Sequence, residues 1–273
     1  MTASDAIGTI DHVVIAVPEL AASAEIYRRL GFTLSPRGVH SAALGSANHT
    51  IMLRDDYFEL LAVLAPTDRN VRWRRAIAEG GGIAGLAMTT VDPPAARDFW
   101  KKAGLSPDEP IKFSRPVARP DGSSLEARFE VVSLADVPGV PVRVFVCSQP
   151  TREAVWLPEL LGHANGAVAI RRLAIACPDP DASAAQWKRV LPAASAVRMG
   201  ANIRIDTGRH SIDLIPSRLR EAKAIGIDFT VSDIAKSRSA LDGGAIPFRE
   251  FDGRLEIAPE NASNVRIGFE AAP

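Results

Sequence analysis

Ile10–Leu30, IDHVVIAVPELAASAEIYRRL, returns 160 positions later as Ile170–Val190, IRRLAIACPDPDASAAQWKRV. Eight of the 21 positions are identical, among them Ile15/Ile175, Ala16/Ala176, Pro18/Pro178 and Arg29/Arg189. Each copy reads as an apolar strand, a turn of proline and acid, and an amphipathic helix. Downstream, SAALGSANHTIMLRDDYFELLAVL splits into two apolar stretches around Arg54-Asp55-Asp56-Tyr57, the pattern of a β-hairpin with an acidic turn. At an offset of 154 it returns as GANIRIDTGRHSIDLIP, with Ala47/Ala201, Asn48/Asn202, Ile51/Ile205 and Leu60/Leu214 identical. The unit is strand, helix, then three strands, about 70 residues long.

Two weaker copies fill the rest of the chain. At an offset of 73, GIAGLAMTTVDPPAARDFWKKAGLS lies over TIDHVVIAVPELAASAEIYRRLGFT, with Tyr27 on Trp100, Arg28-Arg29 on Lys101-Lys102 and Gly31 on Gly104. The fourth copy opens at IGIDFTVSDIAKSRSALDGGAIPF and ends in NVRIGFE. Ala22, Ile26, Tyr27 and Leu30 fall at helical spacing and predict the buried face of the first helix. Gly31, Gly104 and Gly243-Gly244 suit helix ends in the left-handed region. Four units predict two paired domains, residues 1–150 and 163–273, joined by a connector over 151–162 that packs across both halves. Repetition also separates scaffold from chemistry, because what the fold needs recurs and what a site needs can stand once.

The composition narrows the functional classes. The 273 residues are 47% hydrophobic and 23% charged, as in globular proteins. Thirty-two basic residues balance 32 acidic ones, so no basic excess exists to neutralise nucleic-acid phosphates or to bind anionic membranes. The N-terminal MTASDAIGTIDHV lacks the basic and apolar regions of a signal peptide, and no apolar run approaches the roughly 20 residues of a membrane span. The expectation is a cytoplasmic protein, with Cys147 and Cys177 as small buried residues in apolar strands. No GxSxG elbow, HExxH, P-loop or GxGxxG occurs; GGG at 80–82 precedes a strand and reads as a turn.

The phrases IDHVVIAV, LGFTLSPRGVH, ANHTIML, DDYFELLAV, FSRPV and HANGAV, set in tandem βαβββ units, resemble the glyoxalase-like branch of the vicinal oxygen chelate superfamily. That superfamily includes glyoxalase I, extradiol dioxygenases, methylmalonyl-CoA epimerase and the bleomycin and fosfomycin resistance proteins. The resemblance covers nearly the whole chain. It implies an α+β fold in which four βαβββ modules pair into two open-barrel glyoxalase-like domains. It also implies a divalent metal ion held by a His on the first strand and a carboxylate on the last strand of each module, leaving positions open for two substrate oxygens.

On that resemblance His12 and Glu59 match the ligands of the first module, with Glu59 also catalytic. The blander reading of His12 is a satisfied, partly buried imidazole, and of the two residues together a buried ion pair. The counterparts of His12 are Gly85, Arg172 and Gly226, so the fold does not require His there. Glu59, between Phe58 and Leu60 in a strand, is costly unless paired or bound. In the second module Gly85 takes the His position, and the last strand, VPVRVFVCSQP, has no His, Asp or Glu. There Arg143, Phe145, Cys147 and Gln149 share a face, Arg143 aligns with Glu59, and Gln149 stands where related sequences carry a His.

Arg172 and Asp213 replace His12 and Glu59 in the third module and predict an ion pair filling the metal's space. Arg115 in FSRPV and Arg128 in EARFEVV are positioned to clamp a substrate oxyanion, or are surface arginines. With an Asp55-Asp56 turn, Glu59 pairs with Met52 and His49 points to the opposite face. His163–Gly166, HANG, caps a helix or reaches back over the pocket.

Two functions from different classes follow. The first is a metal-assisted enzyme (isomerase, lyase or dioxygenase type) in which His12 and Glu59 hold the ion and Arg115, Arg128 and Gln149 contact a small oxygen-bearing metabolite. The second is a metal-free small-molecule binding or resistance protein. A fused four-module chain suits a monomer or a homodimer.

Overall fold

The computed structural model describes residues 6–118 and 123–272; the first five residues of the N-terminal stretch read above lie outside them. The first module is β1 (Ile10–Ala16), α1 (Leu20–Arg29), β2 (Gly38–Val39), β3 (Ser46–Met52) and β4 (Tyr57–Val63). After α2 (Val71–Ala78), a helix outside the repeat, the second is β5 (Gly82–Thr89), α3 (Pro93–Lys102), β6 (Ile111–Ala118), β7 (Ser124–Ser133) and β8 (Arg143–Ser148). The third is β9 (Ala167–Cys177), α4 (Pro180–Val190), β10 (Ser195–Met199), β11 (Asn202–Asp206) and β12 (Ser211–Pro216). The fourth is β13 (Lys223–Val231), α5 (Ile234–Gly243), β14 (Arg249–Phe251), β15 (Arg254–Ile257) and β16 (Arg266–Ala271).

Modules pair in order. One sheet runs β2-β3-β4-β1-β5-β8-β7-β6 and the other β10-β11-β12-β9-β13-β16-β15-β14, each with its two first strands antiparallel at the centre. This is the α+β fold of two paired domains. The repeat offsets reappear in the register: His12 and Val14 lie beside Tyr57 and Glu59, and Arg172 and Ala174 beside Ser211 and Asp213. The acid of the proline-acid turn becomes the helix N-cap in three modules. Asp92, Asp179 and Asp233 accept from the backbone N–H of Ala95, Ala182 and Ala235, whereas Glu19 makes no such bond.

The convex faces of both sheets share one core. Tyr27, Trp100, Trp187 and Leu241 stand at the same place in the four helices and are fully buried. Phe32 packs edge-on against Phe58 and Phe229 of opposite sheets, with ring centroids 5.1 and 5.3 Å apart. The buried face of α1 is Leu20, Ser23, Ala24 and Tyr27; Ala22 is exposed and Ile26 only partly covered, so the face is turned by about one residue from the expected one. No described helix is long and apolar enough to cross a membrane.

The acidic hairpin turn proves to be an inter-sheet pin. Asp56 is 1% exposed; its carboxylate accepts from the Ile170 N–H and from Nε2 of the buried His210, whose Nδ1 meets the Thr9 hydroxyl at 2.6 Å. The HANG segment makes a second pin. His163 accepts from the Thr33 N–H at Nδ1 and donates from Nε2 to the Met52 carbonyl, which makes it a neutral imidazole. Asn165 donates to the Leu30 carbonyl at the C-terminal end of α1. Neither residue reaches over the cavity described below.

Gly31 and Gly104 end their helices at φ +86° and +70°, but in the fourth module the left-handed residue is Ala245 at +51°. Gly244 is helical and serves another purpose. A Cβ there would sit 2.0 Å from the Arg29 carbonyl oxygen, where α1 and α5 meet and the Arg29 guanidinium bonds the Gly244 and Ala245 carbonyls. Gly244→Ala is expected to destabilise the protein by about 1–3 kcal/mol through overpacking. Ala245→Gly is expected to be neutral or stabilising by up to about 1 kcal/mol, because it relieves the left-handed strain. Urea denaturation of both checks the opposed signs.

Candidate functional site

A β-bulge recurs in the first strand of every module, and it builds the site. Pairing between β1 and β5 skips Asp11 on one side and Ala84 on the other; between β9 and β13 it skips Arg171 and Ile225. A bulge breaks the alternation of faces and re-aims the extra residue. The Asp11 carboxylate thereby meets its sequence neighbour, accepting from Nδ1 of His12 at 2.6 Å. It also accepts from the Gln149 amide at 2.7 Å. Asp11 and His12 are both buried. A further shift in β9 skips Val168, and of these five skipped residues only Asp11 carries a carboxylate.

Two rows of side chains cross the concave face of the first sheet. Tyr57, His12, Ala87 and Phe145 form one, and Glu59, Val14, Gly85 and Arg143 the next. His12 is stacked on Tyr57 at 4.3 Å and meets Phe145 edge-on at 5.3 Å. With Nδ1 committed to Asp11, the other ring nitrogen of His12 is the one left for a ligand. Glu59 accepts from the Asn48 amide at 2.5 Å and makes no ion pair among the described residues. Both line a cavity of about 690 Å³, within the range of small-molecule sites.

The predicted site residues divide. His12, Glu59 and Arg115 line the cavity. The Arg115 guanidinium lies 5.9 Å from the Phe129 ring centre and has no ion pair among the described residues. Arg128 does not face the cavity: alternation along β7 turns Ala127 and Phe129 inward, while Arg128 is exposed and bound to Glu126 at 2.7 Å. Gln149 holds Asp11 instead of lining the cavity. Its other amide atom, Oε1, is buried without a partner.

The hairpin register differs by two residues from the expected one, Glu59 lying opposite Thr50 instead of Met52. The shift is even, so His49 still faces away and donates to the Ser35 carbonyl. The place of Glu59 in the second module belongs to Phe145; Arg143 answers to Tyr57, a correction of two residues set by the β5–β8 register.

Other residues in or behind the cavity wall carried weaker signals. Asp11 was legible only as an acid inside an apolar strand next to a histidine. His40, on the loop side of β3, lines the cavity and bonds the Ser46 hydroxyl at 2.8 Å; burial pushes its pKa down, with Glu59 opposing and Arg115 adding to the shift. Trp73 comes from α2, which lies outside the repeat. Trp156 of the connector donates to the Leu53 carbonyl and packs edge-on against Tyr57.

The donor set can be tested against a divalent ion. Ligand-capable atoms of Asp11, His12 and Cys147 lie within 4.8 Å of one another, in the single such group among the described residues, and Glu59 is outside it. Burial, with Asp11 and Glu59 nearby, pushes the Cys147 thiol well above its usual pKa, so it is a neutral thiol. Gly85 and Phe145, at the second module's ligand positions, cannot coordinate. His12 and Glu59, on adjacent strands, both line the cavity, while the clustered ligand-capable atoms are those of Asp11, His12 and Cys147.

The second sheet carries charge in the corresponding place. Arg172 bonds Asp228 and Glu270 instead of the expected Asp213, because Asp228 lies directly opposite it on β13. Asp213 receives both arms of Arg204 at 2.7 Å. Arg266 and Arg254 complete the ring around Asp228 at 2.7 and 3.0 Å.

A model of a glyoxalase-like domain matches residues 10–191. No curated protein matches the chain. Among solved structures, a hypothetical protein from Staphylococcus aureus superposes with a TM-score of 0.71 at 11% identity, covering 97% of this chain and 99% of that one. A variant of 4-hydroxymandelate synthase from Streptomyces coelicolor gives 0.63 at 13%, covering 97% and 92%. A fusion of a xylose isomerase-like TIM barrel with 4-hydroxyphenylpyruvate dioxygenase gives 0.62 at 14%, covering 98% of this chain and 49% of that one. These likenesses are of fold.

Proposed function

The chain belongs to the glyoxalase-like domain family, and we propose that its first sheet is a metal-assisted site for a small oxygen-bearing metabolite, with His12 and Glu59 holding a divalent ion. The observation that carries this reading is the pairing of two cavity groups: an imidazole fixed at Nδ1 by Asp11 and a buried carboxylate that, among the described residues, has no cation within ion-pair distance. An ion bound there would supply Lewis-acid polarisation to adjacent substrate oxygens. The chain's own residues do the rest. Asp11 fixes the His12 tautomer, and Asn48 holds one oxygen of Glu59. Tyr57 and Phe145 flank the imidazole and exclude water, and Arg115 receives an anionic group. The neutral Cys147 thiol is no nucleophile. Isomerase, lyase and dioxygenase chemistry all suit such a site, and the fold-level likeness to the fusion that contains 4-hydroxyphenylpyruvate dioxygenase supports the last.

A metal-free binding protein is the second reading, favoured by Gly85 and Phe145 standing where further ligands belong. Calorimetric titration of metal-stripped protein with Mn²⁺, Co²⁺ and Zn²⁺ separates the two. The expected result is one site, weakened at least about tenfold in both His12→Ala and Glu59→Gln. Equal binding by parent and variants, or none by the parent, overturns the metal reading.

A further inference from the structure

In the second module a guanidinium stands beside the position that answers to His12. Gly85, which stands in for the first-strand histidine, has no side chain, and a Cβ there would lie 2.8 Å from the Trp73 ring and 3.0 Å from Val14. The absent side chain is what lets Trp73 lie against the sheet. The guanidinium carbon of Arg143, next to Gly85 in the register, lies 5.4 Å from the centre of the Trp73 ring.

Arg143 is enclosed yet poorly neutralised. Its side chain is 17% exposed, and Nε is buried without a hydrogen-bond partner among the described residues. One Nη donates to the Ser133 hydroxyl at 2.9 Å, and the Asp108 carboxylate stands at 3.9 Å. Asp136, the other nearby acid, is taken by Arg72 and Arg75 at 3.5 and 3.3 Å. Burial, and then the like charge of Arg72, work against the Arg143 cation, an imbalance that an incoming anion would relieve.

The position has a polarity. Arg143 and Glu59 end the same cross-strand row, three strand spacings apart, at most about 14 Å along the sheet. An anion is repelled at the Glu59 end and accepted at the Arg143 end, with the Trp73 ring between.

We infer that Gly85, Trp73 and Arg143 form an anion-receiving subsite, and that the cavity takes a carboxylic acid with a planar, unsaturated body, its carboxylate on Arg143 and the body over Trp73. The inference rests on the proposed small-molecule site and names its substrate class. The acid's other end then reaches His12 and Glu59. This adds Arg143 to Arg115 as a cavity cation and makes Arg143 the specificity-determining one, since its guanidinium is little exposed and stands against the Trp73 ring.

The test uses the full chain in EDTA, titrated calorimetrically with 3-phenylpropionate, its neutral amide 3-phenylpropanamide, and hexanoate. The acid is expected to bind at least about tenfold more tightly than the amide. Arg143→Met is expected to remove that preference, weakening the acid far more than the amide. Trp73→Leu should weaken 3-phenylpropionate more than hexanoate. Should Arg143→Met fail to fold, Arg143→Lys, which keeps the charge and loses the planar fork, is expected to bind the acid several-fold more weakly. Equal binding of acid and amide by the parent overturns the inference, as does undiminished preference for the acid in the folded Arg143 variant. No metal enters these titrations. Loss of the metal reading leaves the acid preference standing, and loss of the preference leaves metal binding by His12 and Glu59 untouched.

Discussion

Asp228→Asn lowers folding stability by about 3–5 kcal/mol, the cost of removing one partner from a buried charge cluster. Asp228 is 1% exposed, and Arg172, Arg254 and Arg266 all converge on its carboxylate. The asparagine can still accept from one of them, but the charge that offsets three guanidiniums is gone. Glu270 and Glu256 then answer for four arginines, Arg171 included. Urea denaturation checks the loss; a change below about 1 kcal/mol would mean the cluster is solvated enough to rearrange. Acid gives an independent check. Burial alone would raise the Asp228 pKa, but Arg266 and Arg172 more than reverse it and hold the carboxyl below its usual range. A depressed carboxylate contributes stability that is fully present above its unfolded value, about 4, and is lost as pH falls through the lower folded value. The parent should therefore lose stability more steeply below pH ~4 than Asp228→Asn.

Asp11→Asn weakens divalent-ion binding by about 10–100-fold while the protein remains folded. Asp11 is a positioning residue: it touches His12 and Gln149 and does not line the cavity. Both bonds end on one oxygen, Oδ2, and an asparagine there accepts without the charge that strengthens them. The bond that commits the His12 proton to Nδ1 is then weaker. Nitrogen NMR of the imidazole should show the Nδ1–H tautomer in the parent and a mixture in the variant. A merely structural role would lower thermal stability without changing the tautomer. Unchanged metal affinity alongside an unchanged tautomer would remove Asp11 from the site.

The parts of the site that were readable in the chain are those set by repetition. Aligning four copies isolates His12 and Glu59 as a pair that no other module repeats, and the register places both on the cavity side. Arg128 was not readable in the same way. A hairpin register one residue different would have turned it inward and Ala127 outward. Asp11 was hidden for a related reason: strict alternation puts neighbours on opposite faces, and only the bulge brings its carboxylate to His12. Trp73 lies outside the repeat, so comparison of copies could not reach it.

The amino-acid sequence by itself determined the four modules, their pairing into two sheets, the aromatic or leucine core position of each helix, and the solitary His–Glu pair. Those features follow from local periodicity and from duplication, both of which are written along the chain. The tertiary structure alone decided which charges meet. Arg172 finds Asp228 and not Asp213, Asp56 leaves its turn for His210, and Arg143 comes to rest on Trp73 beside Gly85. Such partners are chosen by the register of strands distant in sequence and by bulges within them, and a shift of one residue would have chosen others.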